Sequence, residues 1–150
     1  MFYSPYPTSF KRFVSESFAP TKISWSMDNR TSTYRIVGEE SSLRIECRIP
    51  GADANPYLAF AASIAAGIKG IEEKIDPPKM SKGDSYNNSS LQSCPDSIGK
   101  GLQLFEKSKF IGDVFGNNVK DHYNHFFSIE KSLYEKAVTD WEKNRYFERI

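Results

Sequence analysis

The stretch Leu43-Arg44-Ile45-Glu46-Cys47-Arg48-Ile49 alternates apolar and charged residues without a break, and an extended strand is the regular structure that sorts such an alternation onto two surfaces. Successive side chains of a strand point to opposite faces, so Arg44, Glu46 and Arg48 share one face while Leu43, Ile45, Cys47 and Ile49 share the other. The apolar face is expected to be core and the other to carry alternating charge. Lys22 to Ser26 and Thr31 to Val37 are also rich in β-branched and aromatic residues, and the turn-prone Met27-Asp28-Asn29 and Gly38-Glu39-Glu40 separate the three runs. Strands this close in sequence are expected to pair as an antiparallel meander.

After Pro50 the period changes. Asn55-Pro56 reads as a helix start, because Asn caps free N–H groups and Pro fits the first helical position. That helix is expected to run to about Lys74, with Ala59, Ala62, Ser63, Ala66, Gly67 and Gly70 presenting small side chains for close packing. Asp76 to Pro95, with Pro77-Pro78, Gly83 and a run of Asn and Ser, reads as a long loop, a kind often functional or used in subunit contacts. Asp96 to Phe110 and Asn117 to Ala137 read as helices, and Thr139-Asp140-Trp141-Glu142 as a capping box opening a short last one. The fold class is therefore α+β, with antiparallel strands in the N-terminal half and helices in the C-terminal half.

Composition excludes several function classes. With 20 basic and 19 acidic residues the net charge is +1, which offers no pull toward nucleic acid. The longest apolar run, Tyr57 to Ile68, ends at Lys69, too short for a hydrocarbon layer of about 30 Å. No secretory signal is visible in Met1 to Phe10, so an intracellular, cytoplasmic protein without a membrane partner is expected. Cys47 and Cys94 lack metal-site spacing and read as reduced structural thiols. His122 and His125 have no third ligand near them in sequence beyond Asp121 and read as ordinary helix histidines. Trp25 and Trp141 read as core or interface anchors, and Tyr86 as a loop tyrosine.

Five of the seven arginines, Arg12, Arg30, Arg35, Arg44 and Arg48, fall in the first third of the chain, whereas lysine dominates elsewhere. A solvated face would accept either cation. Guanidinium adds a rigid fork matched to carboxylate and phosphate oxygens, so this clustering points to a multiply anionic ligand. Glu46, set among arginines, suits Mg²⁺, which takes one or two protein carboxylates together with substrate phosphates. A nucleoside triphosphate with its metal fits both signs of charge.

Four linked segments give these residues a family likeness. Ser9-Phe10-Lys11-Arg12-Phe13, Asp28-Asn29-Arg30-Thr31 with Tyr34-Arg35-Ile36, Arg44-Ile45-Glu46-Cys47-Arg48-Ile49-Pro50 and Asp53-Ala54-Asn55-Pro56-Tyr57 resemble, in order and interval, catalytic-domain motifs of glutamine synthetases. The likeness continues through Ala59 to Gly70 and Val138 to Glu142. It implies that residues 1–150 are the C-terminal portion of a glutamine synthetase catalytic domain, without the N-terminal β-grasp domain or the first half of the catalytic domain.

The resemblance implies an ATP-dependent ligase that joins glutamate to ammonia or an amine through a γ-glutamyl phosphate, with Mg (or Mn). By position, Arg12 and Arg48 would bind the glutamate carboxylates, and Arg30 would act in catalysis on the transferring phosphoryl group. Arg30, Arg35 and Arg44 would contact the nucleotide, and Glu46 would ligate metal. The family also implies a homo-oligomer. Two positions depart from the pattern: Thr8 replaces a usual Asn, and Phe18 stands where a flap glutamate handles ammonium, which favours an alkyl amine. Phe18-Ala19-Pro20-Thr21 and Thr139 to Glu142 are similar to the γ-glutamyl-polyamine and γ-glutamyl-ethanolamide synthetase branch. With one metal carboxylate the isolated chain is expected to be inactive, to bind ATP weakly if at all and to leave apolar faces exposed. The other reading is a non-catalytic structural or assembly relative.

Overall fold

Phe2 is the hub around which the helices close. In the computed structural model, which describes residues 1–149, its ring meets three others edge-to-face: Phe105 at 5.1 Å, Phe115 at 5.0 Å and Tyr123 at 5.2 Å between centroids. Such contacts set a positive ring edge against a negative ring face and add roughly 0.5–1.5 kcal/mol each beyond area burial. Ala62, Leu102 and Phe127 complete the buried cluster, with Leu58 and Ile111 packed around it.

The elements run α1 (Pro7–Phe10), β1 (Trp25–Met27), β2 (Tyr34–Val37), β3 (Arg44–Cys47), α2 (Pro56–Glu72), α3 (Ile98–Lys107), α4 (Lys109–Phe115), α5 (Asn117–Lys136) and α6 (Asp140–Tyr146). This is the expected α+β order. Asn55 caps α2 by accepting from the Tyr57 and Leu58 N–H groups at 3.0 and 3.3 Å, and Thr139 with Glu142 forms the expected capping box on α6. The helix expected at Asp96 to Phe110 is instead two, α3 and α4. Ser108 adopts an extended conformation between them and its hydroxyl accepts from Ile111 N–H at 3.3 Å, the local competition by which Ser ends one helix and caps the next.

The antiparallel meander is half right. β2 and β3 pair antiparallel, with Arg35 opposite Glu46 and Ile36 opposite Ile45, and Gly38 turns between them with φ +91°, where a Cβ would lie 2.3 Å from the Ser42 carbonyl oxygen. β1 and β2, however, run parallel, Trp25 opposite Tyr34 and Ser26 opposite Arg35. β1 is only three residues, about 10 Å long, so residues 28–33 suffice to return along it and re-enter in the same direction. Asn29 shapes that return by accepting from the Thr31 N–H at 2.9 Å and hydroxyl at 2.7 Å, an Asx turn rather than a hairpin.

Expectation also fails on the apolar side of the sheet. Trp25, Tyr34, Ile36, Ile45 and Cys47 share one face as the alternation requires, but they line an open groove of about 700 Å³ against Ser63, Ala66 and Gly67 of α2. Ile45 is 69% exposed. A Cβ on Gly67 or Gly70 would meet nothing within 4 Å, whereas Ala59 and Ala62 are buried and Ser63 bonds the Tyr3 hydroxyl. The other side of α2 carries Tyr57, Phe60, Ile64, Ile68 and Ile71, all exposed, as the family likeness led us to expect. A helix apolar on both sides is built to be covered on both.

Phe2→Ala is expected to lower unfolding free energy by about 3–5 kcal/mol, because it opens a cavity at the centre of the ring cluster. Urea denaturation followed by tyrosine and tryptophan fluorescence measures the loss.

Candidate active site

The polar face of the sheet is assembled by cross-strand register. Because Arg35 and Glu46 are directly opposite, the Arg35 Nη1 donates to both Glu46 carboxylate oxygens at 3.1 Å. The parallel entry of β2 also brings Asp28, just past β1, alongside Arg35: its Oδ1 accepts from Arg35 Nε at 2.9 Å and from Nη2. Arg48 closes the row, its Nη1 donating to Glu46 Oε2 at 3.3 Å. Glu46 therefore lies between two guanidinium groups. Arg35 first, and then Arg48, hold its carboxyl below its ordinary value.

Arg48 is fixed from a second side. Its Nη2 donates to the Phe18 carbonyl at 2.8 Å and its Nε to the Arg30 carbonyl at 3.2 Å. Three of its five N–H donors are thus engaged, and among the described residues one on each Nη has no partner. Arg12 lies in the same neighbourhood. It donates to the Ile49 carbonyl; burial lowers its basicity, the Asp53 carboxylate opposes that, and the Arg48 charge adds to it. Two guanidinium groups close enough to repel one another favour an anion between them.

Arg30 and Arg35 face an open cleft with Phe18, Met27, Asp28 and Asp84. Arg44 does not join this group. It lies two residues along β3 from Glu46, exposed, donating to the Ser42 carbonyl at 3.3 Å. The structure thus brings Arg12, Arg30, Arg35, Arg48 and Glu46 together and leaves Arg44 at the rim.

The cluster rests on a layer of buried hydroxyls that the sequence reading missed. Ser32, Thr33 and Ser85 are fully buried. The Ser85 hydroxyl meets those of Ser81 at 3.2 Å, Ser32 at 3.3 Å and Ser24 at 3.5 Å, while Ser26 donates to the Ser81 carbonyl at 2.8 Å. The loop expected at Asp76 to Pro95 is therefore stitched along β1, and Asn29 Nδ2 ties it to the Arg30 turn through the Gly83 carbonyl at 2.7 Å. Asp53 was also missed as a neighbour of Arg12; it accepts from the Ser9 hydroxyl at 2.5 Å. Runs of Ser and Asn were the only sign of the hydroxyl layer, and they read equally well as solvated loop.

The donor set fits anions better than a metal. Both Glu46 oxygens are engaged by Arg35, and among the described residues no group of three or more His, Cys, Asp or Glu side chains is placed to hold a metal ion. Cys47 and Cys94 are free thiols. No described helix is long and apolar enough to cross a membrane.

Comparison with known proteins gives the family. The family described as "Glutamine synthetase, catalytic domain" matches residues 1–146. The chain belongs to that family. It is 41% identical to the γ-glutamylethanolamide synthetase of Streptomyces coelicolor over 100% of its length and 32% of that protein's. With a glutamate-isopropylamine ligase of a Pseudomonas species it shares 36% identity over 99% of its length and 33% of the relative's. For the type-1 glutamine synthetase 2 of Dictyostelium discoideum the figures are 35%, 99% and 29%. The chain spans about a third of the length of the curated relatives it matches.

Because Glu46 is depressed, its ion pairs contribute stability that is fully present above the ordinary carboxylate value of 4.5 and is lost as pH falls through the lower folded-state value. A ¹³C titration of the Glu46 carboxyl carbon is expected to show a midpoint below 4.5. Arg35→Ala should raise that midpoint more than Arg48→Ala.

Proposed function

We propose that the complete polypeptide encoded with these residues is an ATP-dependent ligase that joins glutamate to an amine through a γ-glutamyl phosphate. The observation that carries this reading is the arginine face itself: Arg12 near enough to Arg48 to feel its charge, Arg48 fixed by Glu46 and by the Phe18 and Arg30 carbonyls, and Arg30 and Arg35 on an open cleft. Arg12 and Arg48 hold the glutamate carboxylates. Arg30, the candidate catalytic residue, sets its charge against the transferring phosphoryl group, and Arg35 and Arg44 meet the nucleotide phosphates. Phosphoryl transfer asks for positioning and fixed cations more than for covalent chemistry, and this face supplies both.

Family members use ATP and divalent metals. On this chain Glu46 is the candidate ligand for Mg²⁺ or Mn²⁺. By itself it completes no metal site, so the remaining carboxylates are expected from polypeptide outside residues 1–150. The thiols suit a reducing cytoplasm, and homo-oligomeric assembly suits the exposed α2 stripe.

The nucleophile is read from Phe18. It is 61% exposed and lines the cleft with Met27 beside Arg30, an apolar rim that accommodates alkyl groups and takes no proton from ammonium. Two of the relatives are named for ethanolamide and isopropylamine products or substrates. A second reading, a non-catalytic structural or assembly relative, draws on the exposed apolar face of α2.

The complete polypeptide, supplied with ATP, Mg²⁺ and glutamate, is expected to release phosphate with ethanolamine or isopropylamine at higher kcat/KM than with ammonia. No release with any amine overturns the ligase reading, and equal or better turnover with ammonia overturns the amine preference. In the same assay Arg30→Ala is expected to reduce kcat by roughly a hundredfold or more, the usual loss when one preorganised donor to a developing charge is removed.

A further inference from the structure

The cleft that Arg30 and Arg35 face holds two carboxylates, Asp28 and Asp84, and they differ in their partners. Asp28 is paired with Arg35, accepting from Nε at 2.9 Å and from Nη2. Asp84 forms no ion pair with a Lys, Arg or His among the described residues, although two guanidinium groups line the same cleft. Its oxygens accept from neutral donors instead, Oδ1 from Tyr86 N–H at 2.9 Å and Oδ2 from Asn87 Nδ2 at 2.7 Å. Those bonds orient the carboxylate and leave its charge uncompensated.

The position of Asp84 is tied to that of Arg30 from both sides. Its neighbours Gly83 and Ser85 are bonded to Asn29 and Thr31, the neighbours of Arg30: Asn29 Nδ2 donates to the Gly83 carbonyl at 2.7 Å and Ser85 N–H to Thr31 Oγ1 at 2.9 Å. Ser85 is fully buried, so this bracket is anchored from beneath. An unpaired anion and the candidate catalytic cation are thereby held at one cleft by bonds that involve neither side chain. The same cleft carries Phe18 and Met27, 61% and 54% exposed.

The proposed nucleophile arrives as a cation, because an alkyl amine, like a lysine side chain, is protonated at neutral pH. Its site must offer apolar surface to the alkyl group and negative charge to the ammonium. Phe18 and Met27 supply the first. Of the two carboxylates in the cleft, Asp84 is the one that supplies the second without a guanidinium competing for it.

We infer that Asp84 is a substrate-binding residue of the proposed reaction: its carboxylate receives the ammonium group of the alkyl amine, whose alkyl group lies against Phe18 and Met27 beside Arg30. The inference rests on the ligase reading and adds to it the group that holds the amine.

Asp84→Asn removes the charge and keeps an acceptor for Tyr86 N–H. In the complete polypeptide it is expected to raise KM for isopropylamine and ethanolamine roughly three- to tenfold, the range of a charge-assisted bond at an exposed site. KM for glutamate and for ATP is expected to stay within about twofold of wild type. Hydroxylamine, uncharged at neutral pH, is expected to keep its KM, since it brings no charge for Asp84 to meet. An equal rise for hydroxylamine assigns Asp84 a structural role and overturns the inference, as does an unchanged KM for the alkyl amines. Asn87→Ala removes the Oδ2 contact and keeps the carboxylate, so it is expected to leave these constants unchanged; a rise matching that of Asp84→Asn overturns the role of the charge. Saturation-transfer NMR on the complete polypeptide with isopropylammonium, glutamate and a non-hydrolysable ATP analogue needs no turnover. Transfer to the isopropyl methyl protons is expected with wild type and is expected to be lost with Asp84→Asn, and equal transfer, or none with wild type, overturns the inference. A wild type that shows this Asp84-dependent transfer but releases no phosphate overturns the ligase reading alone.

Discussion

The Glu46 carboxylate is the keystone of the polar face. Without it, Arg35 would keep only Asp28 as a carboxylate partner and its like charge would face that of Arg48 across the sheet, a juxtaposition that opposes pairing. With it, each guanidinium has an anchor, and Asp28 adds a second for Arg35. The arrangement neutralises part of the charge and leaves the rest aimed outward. A face built this way is preorganised for an anion, because its arginines are held by the protein itself and would need little ordering on binding.

Beneath that keystone the protein uses hydroxyls where an ordinary domain uses methyls. Ser24, Ser26, Ser32, Ser81 and Ser85 are buried within bonding distance of one another or of backbone carbonyls. Each bond adds little net stability, but leaving a buried hydroxyl unmade is costly, so the set favours one arrangement of the loop over its neighbours. The result is specificity of position. The turn carrying Arg30 and the loop carrying Tyr86 are locked to each other across some fifty residues of sequence.

Stability and chemistry occupy different ends of the molecule. The ring cluster around Phe2 sits among α3, α4 and α5, whereas the arginine face lies on the three-stranded sheet. Between them, the apolar groove behind the sheet and the bare stripe on α2 have no cover from residues 1–149. Core material is thus divided: the helical end closes one ring cluster, and the sheet end with the α2 stripe presents surface suited to further polypeptide.

What the sequence determined alone follows from local chemistry. The alternation at Leu43 to Ile49 set the two faces of β3, Asn55-Pro56 set the start of α2, and Thr139 with Glu142 set that of α6, since each depends on neighbours within a few residues. The concentration of arginine likewise marked which segment gathers the cationic face, and the motifs marked the family. Tertiary structure alone decided the rest. The parallel entry of β2 placed Asp28 on Arg35, and nothing in either residue's vicinity announces a register nine positions away. The break at Ser108 reflected a choice between helix and cap that propensity leaves balanced. Arg44 fell outside the cluster because register carried it past the end of the site, although its strand face is the one Glu46 and Arg48 occupy. The bond from Asn29 Nδ2 to the Gly83 carbonyl joins positions 54 apart, and an interaction at that separation is fixed by the folded path of the chain rather than by any pattern along it.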